Sequence, residues 1–522
     1  MYLFNHKEKS LITLLLISVL LRSLLAGWIE LGNDEAYYWT FALFPDWSHY
    51  DHPGMVGWII QAFSLNLLFD SEFFLRLSSV LFMTVNTLVM YKMGKEIKDE
   101  GTGLTAALLY TASVYAFVIT GIFILPDTPM SLFGLLAFWM FIRYLKRNKN
   151  GDLVLAGLLT GLCMLSKYSG VFLWVGFFLY ILCCDRRQFK NPFLYIAMII
   201  SAVCCLPIVV WNIQNDFISF RFQGSRASIF GTLSSAYLLK EIGGEILYNN
   251  PVNYLIALAA VVAAFRHRLS IDRSLQRLIL FTALPMIGTF LLISLFQPTL
   301  PHWSAPAFNL LILLSAVWLE SLKKTRRRGL IIASLVTLAL ILVLGIAEIK
   351  TGFIPLDHHT EAALTGKDDI SLDLYGWRQT GEQFKALRAE KIAQGEMQED
   401  DVIIGHHWFP TASIDYYIAR PLNLKVLGYG PLEGIHKYHW INEKQGGFIK
   451  GADYWYLADS HYFIDPEKAY ADVNFKEIKL AGILPIERRG KVVRNIFVYE
   501  CKSLVYGPDD IKNDSTNKQL NK

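Results

Sequence analysis

The chain is short of charge. Only 18% of its 522 residues are Asp, Glu, Lys or Arg, against about a quarter in ordinary soluble domains. With 53% hydrophobic residues and a positive mean hydropathy, that deficit excludes a conventional soluble protein. Cysteine is scarce as well. The six cysteines lie at positions 163, 183, 184, 204, 205 and 501, five of them in or beside apolar runs. They read as small buried hydrophobes, which excludes a disulfide framework, and none has metal-type spacing. Basic residues are nowhere gathered on one domain, which argues against nucleic acid as a partner. Between residues 32 and 54 there is no Lys or Arg at all.

What the chain does have is long apolar runs. Residues 1–350 carry repeated segments near the ~20 residues needed to cross a bilayer. Spans are expected at 11–30, 73–93, 103–124, 128–145, 152–167, 169–184, 192–213, 251–265, 278–297, 304–321 and 329–349. The pair 152–167 and 169–184 is short, and 55–69 suits a shallow or interfacial helix. The first run follows Lys7 and Lys9 but meets Trp28 and Glu30 where a small-residue cleavage site would fall, so it reads as an uncleaved anchor. Every second loop is basic: Lys7 and Lys9, Lys92 to Lys98, Arg143 to Lys149, Arg186 to Lys190, Arg266 to Arg277, and Lys323 to Arg328. The positive-inside rule makes these loops cytoplasmic. It places outside the 32–54 stretch, the loops at 125–128 and 214–250, the QPTLPHW loop and everything after residue 350. Residues 351–507 mix strand-like DVIIGHHWF, DYWYLADS and GKVVRNIFVYECKS with a helical pattern at 376–394, so a small extracytoplasmic α/β domain is expected there. Residues 508–522 read as a disordered tail.

The exterior side also collects the unusual residues. The stretch GNDEAYYWTFALFPDWSHYDHPG holds Asp34, Glu35 and His52. Carboxylates at the mouth of a membrane helix are costly unless solvated, paired or used. Asp127 in ILPDTP suits a helix start, Lys167 and Tyr168 sit in LSKYSG, and Arg76 lies near the outer end of the second span. Arg221 and Arg226 lie in the 214–250 loop, and His302 and Trp303 sit between prolines. Each has an ordinary reading as a cap, a snorkelling cation, a solvated loop charge or an aromatic anchor. Together they put acids and cations from distant segments on one membrane face, which suggests a site for a charged substrate. The His406-His407 pair lacks the partner spacing of a metal site.

The DE pair, YDHPGMVGW, FLRLSSVLF, ILPDTPMSL, GLCMLSKYSG, WNIQNDFISFRFQGSR, PHWSAPAF and DLYGWRQ, in that order, resemble the bacterial members of glycosyltransferase family 39. These are related to the protein O-mannosyltransferases and the lipid A aminoarabinose transferases. The likeness covers about residues 10–430. It implies a mostly α, polytopic GT-C membrane fold of about 11–13 transmembrane helices, with the α/β domain outside, in a bacterial inner membrane. It also implies transfer of a sugar from a polyprenyl-phosphate donor to an acceptor: lipid A, another glycolipid or a protein hydroxyl. By the same resemblance Asp34 is the catalytic acid, with Glu35 and Asp127 completing the site. Arg76 matches a position that contacts donor phosphate. The aminoarabinose transferases carry Lys-Pro after the DE motif, where this chain has His52-Pro53; that departure weakens an aminoarabinose specificity and leaves the role of His52 open.

The chemistry fits these residue types. A lipid phosphate leaves readily once its charge is neutralised, so Arg76, Lys167, His52 and Arg221 are candidates to hold it. Asp34 is the candidate base for the acceptor hydroxyl, and one displacement would invert the anomeric centre. Tyr168, His302 and Trp303 are candidates for substrate contact. Asp34, Glu35 and Asp127 are also able to bind a hard divalent cation through oxygen; some relatives use one and others do not. A transporter or flippase of a lipid-linked anion is the alternative, and it would favour an internal repeat and midplane ionisable groups, which the sequence does not display. A non-catalytic scaffold is the third reading.

Overall fold

The computed structural model describes residues 6–470 and 474–506; the expected tail at 508–522 lies outside the described residues. The chain divides into two compact units. One comprises residues 1–28 and 41–342, the other residues 29–40 and 343–522.

Every expected span is met by helix, though not always by one long enough to cross. By length and composition five helices qualify: His6–Trp28, Glu72–Ile97, Asp127–Arg147, Arg273–Ile293 and Lys324–Thr351. Two bent pairs, Pro192–Cys204 with Leu206–Gln214 and Ser235–Tyr248 with Pro251–Phe265, raise the count to as many as seven. Asn150–Ser166, Tyr168–Cys184 and Ala305–Glu320 are apolar but shorter. The expected span at 103–124 is interrupted. Helix Glu100–Ala112 stops where Ser113 turns extended, and the Ser113 hydroxyl accepts the Ala116 N–H at 3.3 Å to start a separate wide turn over Tyr115–Ile119. The 55–69 stretch holds a nine-residue helix, Met55–Phe63.

The helical unit packs as membrane bundles do, through small residues and interhelical polar contacts. A Cβ on Gly157 would lie 2.4 Å from the Ala197 carbonyl, and one on Gly176 would lie 2.2 Å from the Thr282 hydroxyl. The indole of Trp174 donates to Ser201 at 3.1 Å, and Ser201 in turn donates to the Gly157 carbonyl. Asn250 donates to the carbonyls of Ala112 and Ser334 at 2.9 and 2.8 Å, and Asn253 to that of Leu109 at 2.8 Å. The bonds to Ala112 and Leu109 satisfy orphan carbonyls in the last turn of helix Glu100–Ala112. Leu16, Leu20, Leu24 and Leu340 remain more than half exposed, a lipid-facing distribution.

The second unit carries a five-stranded mixed sheet. Its strands are β1 (Val402–Gly405), β2 (Val426–Gly428), β3 (Tyr454–Asp459), β4 (Asn474–Arg488) and β5 (Lys491–Tyr506), in the order β2-β1-β3-β5-β4. β1 runs parallel to both β2 and β3, while β5 is antiparallel to β3 and β4. β4 and β5 join through Arg489 and Gly490, both at positive φ (55° and 73°), the geometry of a two-residue hairpin turn. The helical pattern at 376–394 is helix Trp377–Ala393. Arg494 is fully buried, spread over the Trp377 ring at 4.6 Å and paired with Asp459 at 3.4 Å.

Candidate functional site

In the helical unit, the site grows from the loop at 44–54. The His49 N–H bonds the His52 carbonyl at 3.0 Å, and Ser48 bridges Pro53. Helix Ile218–Arg226 clamps this loop: Ser219 donates to the His49 carbonyl at 2.8 Å, Gln223 to that of Asp51, and Phe222 packs on Tyr50 at 4.5 Å. The clamp places His52 and Arg226 on the wall of one cavity of about 250 Å³. Lys167, Tyr168, Phe290 and Trp303 also line it. The Arg226 guanidinium lies 4.6 Å from the centre of the Trp303 ring and 5.4 Å from that of Phe222, the cation–π geometry that orients an arginine without spending its donors.

Lys167 caps helix Asn150–Ser166 and reaches Asp127, in the first turn of helix Asp127–Arg147. Its ammonium meets Asp127 Oδ2 at 2.7 Å, and the Tyr115 hydroxyl donates to Oδ1 at 2.9 Å. Both charges are almost wholly buried, with side chains 9% and 3% exposed. Asp127 therefore has both oxygens engaged by protein donors, one of them the cation that faces the cavity. His52 and His302, on the loops, are held below the usual imidazole range by burial, to which Lys167 and Arg226 add for His52. Burial brings His302 to about 4, with Asp127 pulling the other way. At neutral pH His52 offers hydrogen bonds but no charge, so among the described residues the cations of the cavity lining are Lys167 and Arg226.

The remaining sites fall elsewhere. Arg221, a candidate for the donor phosphate, is exposed and bonds the carbonyl of Asp216, whereas Arg226 lines the cavity. Arg76 is fully buried, donates to the Ala26 carbonyl at 2.9 Å and covers the Phe123 ring at 5.4 Å. His302 sits 6.1 Å from the Tyr248 ring.

Asp34 and Glu35 belong to the second unit. Both lie in the first turn of helix Asn33–Leu43. Glu35 is buried and its Oε2 accepts the Gly32 N–H at 2.9 Å, the return bond of a capping box. Asp34 is exposed. Glu30, three residues before this helix, is a buried carboxylate that accepts the Trp377 N–H at 2.7 Å; burial raises it above the usual carboxylate range. In the sequence Glu30 stands out only as a residue unsuited to a cleavage site. Glu241 and Glu245 belong to none of the sequence motifs, yet both are buried one turn apart, with Glu241 accepting from Thr299 at 2.7 Å. The signal was there, as two acids at i, i+4 inside a stretch otherwise assigned to a loop.

As a chemical arrangement, the cavity joins two cations to an apolar aromatic wall, a surface suited to a phosphate with a hydrocarbon attached. A family profile described as dolichyl-phosphate-mannose-protein mannosyltransferase matches residues 51–211. A lipid A galacturonosyltransferase, RgtD of Rhizobium johnstonii, is 26% identical over 293 residues, which is 56% of this chain. The matched stretch spans 60% of that protein. The crystal structure of ArnT from Cupriavidus metallidurans bound to undecaprenyl phosphate superposes with a TM-score of 0.65 at 12% identity, over 93% of this chain and 97% of that one. The apo form of the same protein gives 0.63.

Proposed function

Taking the chain as a member of the GT-C glycosyltransferase superfamily, we propose that it transfers a sugar from a polyprenyl-phosphate donor to a hydroxyl of a lipid A, glycolipid or protein acceptor. The proposal places the reaction at the extracytoplasmic face of a bacterial inner membrane, the face assigned by the alternating basic loops. The observation that carries it is the cavity where Lys167 and Arg226 converge against Trp303 and Phe290. The relatives support the donor class: one is described with undecaprenyl phosphate bound, and the matching family is named for a dolichyl-phosphate sugar.

In this reading Lys167 and Arg226 neutralise the phosphate as it leaves, with His52 adding a neutral hydrogen-bonding group. Asp127 and Tyr115 fix the Lys167 ammonium. Asp34 takes the proton of the acceptor hydroxyl as that oxygen bonds to the anomeric carbon. The bond from that carbon to the phosphate oxygen breaks in the same displacement, so configuration inverts and polyprenyl monophosphate is released. Because Asp127 has its oxygens committed to Tyr115 and Lys167 and Glu35 spends one on Gly32, the reading routes no step through a metal; transfer should survive a chelator.

The test is transfer from labelled polyprenyl-phosphate sugars by purified wild type beside Asp34→Asn. Transfer by the wild type alone, with inverted configuration, supports the reading. Equal transfer by a folded Asp34→Asn overturns the role of Asp34, and no transfer from any donor overturns the reaction.

A further inference from the structure

The second unit contains a larger cavity, about 560 Å³, that the proposed chemistry does not use. Its position follows from the sheet. The chain leaves β1 for β2 on one side, then crosses to β3 on the other side of β1. That reversal is a topological switch point, and ligands of open α/β sheets bind in the crevice beyond the carboxyl ends of the strands there. The cavity lies at this place: Gly405 ends β1 and His406 to Trp408 follow it, Asp459 ends β3 and Ser460 to Tyr462 follow it, and all eight residues line the cavity. A side chain at Gly405 would put its Cβ 1.9 Å from the Thr411 hydroxyl, so only glycine lets the chain turn this tightly out of β1.

The lining restricts the ligand. Trp408, Phe409 and Tyr462 give flat apolar walls, with Phe409 and Tyr462 ring centres 5.0 Å apart. Among the described residues the lining carries one cation, Lys367, and one carboxylate, Asp459, besides its histidines. Burial holds His406 below the usual imidazole range. Asp459 is 1% exposed. Its Oδ1 accepts the His461 N–H at 3.0 Å and faces Arg494, while Oδ2 has no hydrogen-bond partner among the described residues. A buried carboxylate oxygen without a donor is costly and marks a place where a ligand supplies one. The loops after β1 and β3 read HHWFP and SHYF; neither has the glycines that cradle a phosphate, which argues against a nucleotide. Asn33 also lines the cavity and directly precedes Asp34.

We propose that this cavity binds a neutral, hydroxyl-rich sugar ring, with Asp459 accepting from ring hydroxyls and Trp408 and Tyr462 covering its apolar faces. Resting on the transferase reading, the sugar is the saccharide part of the acceptor, held one residue along the chain from the proposed base. A volume of about 560 Å³ falls within the ~300–1,000 Å³ of small-molecule sites.

The experiment is saturation-transfer NMR on the full-length protein in detergent, without donor. The probes are glucose, galactose, mannose, N-acetylglucosamine, its β-1,4 disaccharide and galacturonic acid. At least one neutral sugar should bind the wild type. Asp459→Asn should weaken that binding about tenfold or more, the loss of one charge-assisted hydrogen bond. Because Asp459 also pairs with Arg494, Tyr462→Ala at a 42% exposed ring serves as the second variant and should weaken binding as well. No binding by any probe, preference for galacturonic acid alone, or unchanged affinity in a folded Tyr462→Ala overturns the proposal. Since binding is read without transfer, a wild type that binds sugar but transfers none sinks the transferase reading and leaves this site standing.

Discussion

The Lys167–Asp127 pair permits a prediction in which stability and function part company. The ammonium and carboxylate meet at 2.7 Å with almost no exposure. Removing either partner strands a buried charge, at a cost of about 3–5 kcal/mol. Lys167→Met and Asp127→Asn should therefore destabilise the protein to a similar degree. Their effects on a lipid phosphate should be opposite. Lys167→Met removes a cation from the cavity wall, and one charge-assisted hydrogen bond is worth about 1.5–3 kcal/mol, or roughly 10–100-fold in affinity. Asp127→Asn releases Lys167 from its counter-charge, so affinity should hold or rise. The assay is equilibrium binding of radiolabelled undecaprenyl phosphate to purified protein, with thermal melting of each variant in the same detergent. Parallel loss of binding and stability in both variants would refute the assignment of Lys167 to the phosphate, as would wild-type affinity in a folded Lys167→Met.

Three further outcomes are expected. Arg226→Ala should raise the donor KM about tenfold, losing a cavity charge and a cation–π contact worth up to about 2 kcal/mol, whereas Arg221→Ala at the surface should change stability by less than about 0.5 kcal/mol and leave the KM alone; the reverse pattern returns the phosphate role to Arg221. Burial pushes the Asp415 carboxyl up to about 7, with Tyr438 donating to it at 2.9 Å. The folded state thus holds this proton more tightly than the unfolded chain, so the contribution is full below about pH 4 and is lost as pH rises to about 7, by up to roughly 4 kcal/mol; denaturant melts from pH 5 to pH 8 should show about two-thirds of that fall in wild type and none of it in Asp415→Asn. Gly176→Ala would force a Cβ onto Thr282 and should cost about 1–3 kcal/mol, read as a lowered Tm; an unchanged Tm would mean these helices do not pack as described.

The helical framework was legible because apolar runs and basic loops report directly on burial in lipid and on topology. The break at Ser113 was not, since Tyr115–Ile119 is as apolar as the helix before it and only the backbone at Ser113 separates them. Strands β1, β3 and β5 showed in their aromatic and β-branched runs. β2 was too short to show, and β4 reads as loop because it contains Gly482 and Pro485, which an edge strand tolerates. At the site, motif order brought out Asp127, Lys167, His52 and Trp303, and the structure brings these segments together. The exchange of Arg226 for Arg221 turns on which face of a nine-residue helix meets the 44–54 loop, a tertiary fact with no local sequence signal. The cavity beyond β1 and β3 depends on strand order, and a sequence lists strands without ordering them.

The central claim is that the sugar comes from a lipid monophosphate, and the most direct measurement is the lipid product of turnover. Purified enzyme, donor and membrane acceptor are followed by phosphorus-31 NMR while sugar transfer is counted from label. The account predicts one polyprenyl monophosphate released for each sugar transferred. Transfer without lipid release, release of a diphosphate, or equal transfer from a nucleotide sugar would contradict it.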